Sequence, residues 1–196
     1  MTHYNLALLG FGNVGQSLAR LLQCKASTLQ ADHNLTFSIT AIGTAHHGLA
    51  ANPRGLDIER ALHLATSGEH IGVLTDAPAP ADAFELLRLS QADVLFENTP
   101  VNYHSGEPAL SHLRTALGLG MHAITANKGP VVHGYAELTA LAAQHGRKFY
   151  FESAVMDGAP IFSLFRQTLP AAELKAFHGI LNSTTNLILG RMEAGE

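Results

Sequence analysis

Two stretches of this sequence contain residue types able to do chemistry. Residues 10 to 15 read Gly10-Phe11-Gly12-Asn13-Val14-Gly15, a G-x-G-x-x-G run. Where such a run joins a strand to a helix, each glycine has a mechanical task. The first permits a tight turn, the second lets a pyrophosphate come against the backbone, and the third lets helix and strand pack closely. The helix that opens there offers unpaired N–H groups and a positive dipole end to phosphates. The second stretch is AITANKGPVV, residues 123–132, where an apolar run stops at Asn127, Lys128, Gly129 and Pro130. A lysine at the lip of a buried strand is either a solvated loop charge or a cation placed where negative charge develops. The residues alone leave both readings open.

Both stretches need a scaffold that brings them together, and the pattern along the chain supplies one. Short apolar strands alternate with amphipathic stretches, which predicts an α/β fold: a Rossmann-type doubly wound parallel sheet. Strands are expected in YNLALLGFG, FSITAIGT, ADVLFENTP, HAITAN, KFYFESAV and AFHGILNS. Helices are expected in VGQSLARLLQC, DIERALHLAT, APAPADAFELLRLSQ, GEPALSHLRTALGLG, YAELTALAAQHG, APIFSLFRQTL and TTNLILGRMEAGE. The first helix should turn Val14, Leu18, Leu21 and Leu22 to one face, and Asp57 should cap the second. In an open sheet of this kind ligands bind at the carboxyl ends of the strands, where both stretches fall.

Selectivity for NAD usually comes from an Asp or Glu at the end of the second strand, bonded to the ribose 2′-hydroxyl. Here that end reads Gly43-Thr44-Ala45-His46-His47-Gly48, with no carboxylate. A missing acid removes repulsion against a 2′-phosphate, and His46, His47 or Arg54 would supply donors, which leans toward NADP. A plain polar loop accounts for the same residues equally well, so the cofactor expected is NADP or NAD.

Composition excludes several classes. With 46% apolar and 14% charged residues, the chain has material for a core and no disorder signature. Its 12 Lys and Arg are scattered and its net charge is -4, so no nucleic-acid partner is expected. The start, MTHYNLALLG, has no positively charged leader and only a short apolar run, so a cytoplasmic protein with no membrane partner is expected. The single Cys24 excludes a disulfide framework. Twelve histidines invite a metal reading, yet none has H-E-x-x-H spacing, and surface or loop positions are expected.

Several motifs together resemble homoserine dehydrogenase: GFGNVG, NPRGLD, ENTPVN followed by GEPALSHLRTAL, then TANKGP, FESAVMDGAPI and GILNSTTNLIL. They occur in the family's order over nearly the whole chain. The resemblance implies NAD(P)-dependent interconversion of L-homoserine and L-aspartate 4-semialdehyde, in threonine and methionine biosynthesis. It implies that residues 10–15 hold the pyrophosphate, that Thr99 lies beside the nicotinamide ribose, and that Lys128 is close to both nicotinamide and substrate. It also implies that Glu152, Val155, Asp157 and Ala159 bind Na+, mostly through backbone carbonyls, although VMDGAP replaces the glycine-rich VGGGIP of many members. A homodimer is implied for the complete protein.

Residues 1–150 are therefore expected to form an NAD(P)-binding domain, and residues 151–196 the beginning of an incomplete α+β catalytic and dimerisation domain. In the family a further segment carries acidic substrate ligands and a second lysine; these 196 residues do not contain it. The expectation is a chain impaired or inactive by itself, with Phe162, Leu164, Phe165, Leu187 and Ile188 lacking cover. The alternatives are a non-catalytic NAD(P)-binding module or sensor subunit, and a different Rossmann oxidoreductase. Aspartate-semialdehyde dehydrogenase is disfavoured, because its nucleophilic cysteine has no counterpart in Cys24, which falls inside the first helix.

Overall fold

The computed structural model describes residues 1–196 except Ala77, Asp157, Pro170, Leu181 and Glu196. The chain divides into two compact units, Met1–Tyr150 and Phe151–Glu196.

In the first unit, β1 (Thr2–Leu9), β2 (Leu35–Gly43), β3 (Leu49–Ala51), β4 (Val94–Glu97), β5 (His122–Thr125) and β6 (Phe149–Tyr150) form one sheet in the order β3-β2-β1-β4-β5-β6. Every neighbouring pair is parallel except β2 with β3. Parallel strands are covered on both faces and so read as unbroken apolar runs. Leu6, Ala7, Leu8 and Leu9 of β1 are all buried, as are Ile39, Ala41 and Ile42 of β2. From β1 the chain goes to β2 on one side, and β4 and β5 lie on the other. The strand order therefore reverses between β1 and β4, the switch point where such sheets open a crevice. The Rossmann-type fold expected from the sequence is the fold observed.

Strand β3 was not legible in the residue pattern. Three residues are too few to show a period, and the strand runs antiparallel because only Thr44–Gly48 separate it from β2. A parallel connection needs a dozen residues or more. Thr44 closes this hairpin: its N–H and its hydroxyl both donate to the Gly48 carbonyl, at 3.1 and 3.0 Å, and its oxygen accepts from the His47 N–H at 2.8 Å.

The helices follow the predicted positions with instructive differences. Helix α1 (Asn13–His33) buries Gly15 and Ala19, four apart, so its backbone approaches the sheet closely. Leu18 and Leu22 pack against the core beside them. Val14 and Leu21, predicted to share that face, are instead exposed. Helices α2 (Ile58–Ser67) and α3 (Ala83–Ser90) are capped by Asp57 and Asp82, whose carboxylates accept from Arg60 N–H at 3.0 Å and Glu85 N–H at 2.7 Å. Helix α4 (Ala109–Gly118) starts directly after Pro108.

Helix α5 spans Lys128–Gln144 and starts at Lys128, where the residue pattern predicts a helix only from Tyr135. Two features permit the early start. The Asn127 side chain accepts from the Gly129 N–H at 3.0 Å, capping the helix. Pro130 falls in the first turn, where a helix has no use for a backbone N–H. Lys128 is thus the first residue of a helix and not a loop residue.

The strand predicted over residues 148–155 is cut to Phe149–Tyr150 and gives way to a 3-10 turn, Glu152–Ala154. In the second unit, α6 (Ile161–Ser163) continues as a wider π-type turn, Leu164–Thr168, and α7 spans Ser183–Glu193 with Asn182 as its cap. The strand predicted over 176–183 is absent among the described residues; no neighbouring strand is there to satisfy its backbone. Leu164, Phe165, Leu187 and Ile188 are exposed as expected, while Phe162 stacks edge-on against Phe151 at 4.9 Å.

Leu95, at the middle of β4, is fully buried. Leu95→Ala is expected to cost about 2–5 kcal/mol, read as a lowered urea midpoint. An unchanged midpoint would contradict the central placement of β4.

Candidate functional site

The register of the central strands builds the site. Leu9 of β1 pairs with Glu97 of β4, and Glu97 pairs with Thr125 of β5. The next residues of each strand, Gly10, Asn98 and Ala126, therefore emerge side by side on one rim. Adjacent strands lie about 4.8 Å apart, so the glycine turn and the segment leading to Lys128 are separated by roughly 10 Å.

The glycine turn is braced from within and open outward. Gly10 has φ +89°, and a Cβ there would sit 2.3 Å from the Asn98 carbonyl oxygen. A Cβ on Gly15 would sit 2.3 Å from the Gly10 carbonyl oxygen, so the helix is seated against the turn. At Gly12 a Cβ would meet nothing within 4 Å. The space over Gly12 is therefore not filled by protein. Gly12 is also the N-cap of α1; no side chain caps that end and no acidic residue stands in its first turn. Its free N–H groups and positive dipole end face the opening. The Asn98 side-chain nitrogen is buried without a hydrogen-bond partner. An orphaned donor beside an uncapped helix start needs an acceptor, and an anion supplies one.

Two cavities flank Asn98. One of about 290 Å³ is lined by Gly10, Gly12, Thr44, His46, His47 and Asn98, among others. The other, about 200 Å³, is lined by Val14, Asn98, Thr99, Tyr103, Asn127 and Lys128. Val14 is exposed on α1 because it forms a wall of this second cavity. A larger apolar groove of about 380 Å³ runs along the sheet past Leu6, Phe37, Phe96 and Ile124. It lies on a sheet face and not at the strand ends, and it has almost no polar lining to orient a ligand.

Of the predicted phosphate loop, Gly10, Phe11 and Gly12 line the first cavity and Val14 lines the second with Thr99 and Lys128, while Asn13 opens α1 and Gly15 packs against the turn. Lys128 is exposed, so its cationic side chain and the N-terminal end of α5 bring positive charge to the same cavity. Thr99 lines that cavity, but its hydroxyl is committed elsewhere: both its N–H and its O–H donate to Glu97. Of the donors proposed for a 2′-phosphate, His46 and His47 line the first cavity. Arg54 does not; it pairs with Asp76 at 2.9 Å.

Glu97, Asn98 and Asn127 were not singled out from the residue pattern. Glu97 is fully buried, and its carboxylate accepts from Thr99 and from the Thr125 hydroxyl. Burial pushes its carboxyl above the ordinary carboxylate range, and those hydrogen bonds oppose the shift only in part. A glutamate closing an apolar strand, ADVLFENTP, was the available signal.

In the second unit, Glu152 accepts from the backbone of Phe162 at 2.8 Å and of Ser163 at 3.0 Å, and from the Ser163 hydroxyl at 2.6 Å. These bonds hold its carboxyl below the ordinary range, the Ser163 hydroxyl contributing most. The Ala159 carbonyl accepts from the Ile161 N–H at 2.8 Å, and Val155 is half-buried. Asp157, the remaining residue of the expected ion site, lies outside the described residues. Among the described residues, no three His, Cys, Asp or Glu side chains group as metal ligands.

Residues 10–152 match the family model for "Homoserine dehydrogenase, NAD binding domain", and residues 160–196 match the model for "Homoserine dehydrogenase". The chain is 36% identical over 195 residues to the NAD(+)-dependent homoserine dehydrogenase of Pseudomonas canavaninivorans, with 100% of this chain and 55% of that protein covered. It is 33% identical over 189 residues to the homoserine dehydrogenase of Methanocaldococcus jannaschii, with coverage of 96% and 56%. The chain thus spans about half the length of these curated relatives. Among solved structures it is similar to a hyperthermophilic archaeal homoserine dehydrogenase mutant in complex with NADPH. That match has a TM-score of 0.72 and 26% identity, and covers 86% of this chain and 50% of the other. A putative homoserine dehydrogenase from Archaeoglobus fulgidus gives a TM-score of 0.71 at 26% identity, with coverage of 86% and 48%. With a phosphate-loop turn, an uncapped helix start and a lysine on one rim, and with motifs matched through both units, the chain belongs to the homoserine dehydrogenase family.

Proposed function

We propose that this chain binds NAD(P) across the rim of its first unit and serves the interconversion of L-homoserine and L-aspartate 4-semialdehyde. The observation that carries the reading is the shared rim. The open backbone over Gly12 suits a pyrophosphate, and the orphaned Asn98 donor lies between the two cavities flanking it. The cavity beside His46 and His47 then takes the adenosine end, and the cavity beside Thr99 and Lys128 takes the nicotinamide end. The relatives include an NAD(+)-dependent enzyme and one in complex with NADPH, so the proposal covers both cofactors.

The bound nicotinamide supplies a hydride acceptor or donor. The chain's own task is to hold the reacting carbon and manage charge on its oxygen. Oxidising homoserine removes a hydride from the alcohol carbon and a proton from its hydroxyl; reducing the semialdehyde reverses both. In either direction negative charge grows on that oxygen. Lys128, set at the cavity mouth with the α5 N-terminus behind it, stabilises this charge without reorganising. In the reductive direction its ammonium has a proton to pass to the alkoxide.

The second unit is proposed as part of the catalytic and dimerisation domain, on the family match over residues 160–196. The exposed Leu164, Phe165, Leu187 and Ile188 support a role in assembly, and a homodimer is the form proposed. The hydrogen bonds on Glu152 engage its side-chain oxygens, so Na+ held mostly through the backbone carbonyls of Glu152, Val155, Asp157 and Ala159 stays part of the proposal.

Two substitutions separate binding from chemistry. Gly12→Val is expected to abolish NADPH binding, followed by fluorescence titration, while the melting temperature holds, because its Cβ enters open space. Retained affinity would remove the pyrophosphate from this turn. Lys128→Ala in the whole protein is expected to lower homoserine turnover about 100- to 1,000-fold with cofactor affinity little changed. Unchanged turnover would make Lys128 a solvated charge. NADPH binding with no turnover by the unaltered whole protein would favour a non-catalytic cofactor-binding module.

A further inference from the structure

We propose that Glu97 is a positioning residue that sets the spacing between Thr99 and Lys128, the two walls of the nicotinamide end of the groove. The inference rests on the cofactor reading above and adds to it a residue that touches neither cofactor nor substrate.

Glu97 ends β4 at the centre of the sheet and has no solvent exposure. An apolar residue would fill that place without desolvating a carboxylate, a cost that hydrogen bonds only offset. The bonds it makes go to two segments, the loop after β4 and the end of β5. One oxygen accepts the Thr99 N–H at 2.8 Å and the Thr99 hydroxyl. The other accepts the Thr125 hydroxyl at 2.8 Å. Thr125 in turn accepts the Asn127 N–H at 3.0 Å. Asn127 caps α5 through Gly129 and returns its side-chain N–H to the Thr99 carbonyl at 3.1 Å.

These bonds close a ring: Glu97, Thr99, Asn127, Thr125 and back to Glu97. The ring ties the loop after β4 to the first turn of α5, and Lys128 is the residue next to Asn127. A carboxylate suits its centre because one group with two oxygens accepts from both sides at once. A hydroxyl lacks the reach, and an amide replaces one of the two acceptors with a donor, which would force the Thr125 bond to reverse. The strand register alone places the two loops as neighbours; the ring fixes how far apart their ends stand. The second cavity, with Thr99 and Lys128 in its wall, is the space so defined.

The test compares two ligands on the same chain. ADP-ribose carries the adenosine and pyrophosphate but no nicotinamide, so it reads the glycine turn alone; NADPH reads both ends. The unaltered chain is expected to bind both. Glu97→Ala is expected to weaken NADPH by about tenfold, the scale of one or two lost hydrogen bonds, and to leave ADP-ribose affinity in place. Glu97→Gln keeps an acceptor for Thr99 and is expected to fall between the two. Thr125→Val breaks the same ring from the other side and should reproduce the NADPH-selective loss, which keeps the test open should Glu97→Ala not fold. Equal losses for both ligands, or no loss for either, would overturn the proposal and leave Glu97 a structural residue. Failure of the unaltered chain to bind either ligand would instead overturn the cofactor reading, and this inference with it.

Discussion

The structure depends on one constraint: three parallel strands, β1, β4 and β5, end level with one another. The paired positions Leu9, Glu97 and Thr125 put three chain segments onto the rim together. Because the side-chain period of a strand is two, a slip of one residue would turn Glu97 from the loops above it toward a helix layer. The packed core opposes that slip, since it would force the fully buried Leu8 and Leu95 out of their places and into the layer on the other face. Core packing thereby sets the geometry of groups that have no part in the core.

Charge at the rim follows from the same arrangement. Helices α1 and α5 both begin directly after strands on the switch-point side, so their N-terminal ends open onto neighbouring cavities. One end is left uncapped at Gly12, and the other is capped by Asn127 but headed by Lys128. A ligand with phosphates near the first and a developing oxyanion near the second meets positive potential along its length. Glu97 lines neither cavity, and its oxygens are occupied by Thr99 and Thr125.

Much of this was legible in the residues. The parallel sheet, the phosphate turn and the rim position of Lys128 all leave marks at the scale of a strand or a helix. What was misread is smaller or non-local. Gly129-Pro130 has the look of a turn, yet the Asn127 cap makes it the first turn of a helix. The face of α1 was assigned by its large residues, while the sheet is met by Gly15 and Ala19. Strand β3 is too short to carry a period. Arg54 was close in sequence to the cofactor rim, but Asp76 holds it elsewhere. Glu97 is the harder case, because its partners Thr99 and Thr125 are unremarkable until the strand register brings them together.

The most direct test of the central claim is a crystal structure of this protein with NADPH bound. The pyrophosphate is expected over Gly12 at the start of α1, with the nicotinamide ring in the cavity walled by Thr99 and Lys128. A pyrophosphate away from Gly12, or a nicotinamide in the apolar groove along Phe37 and Ile124, would contradict the claim.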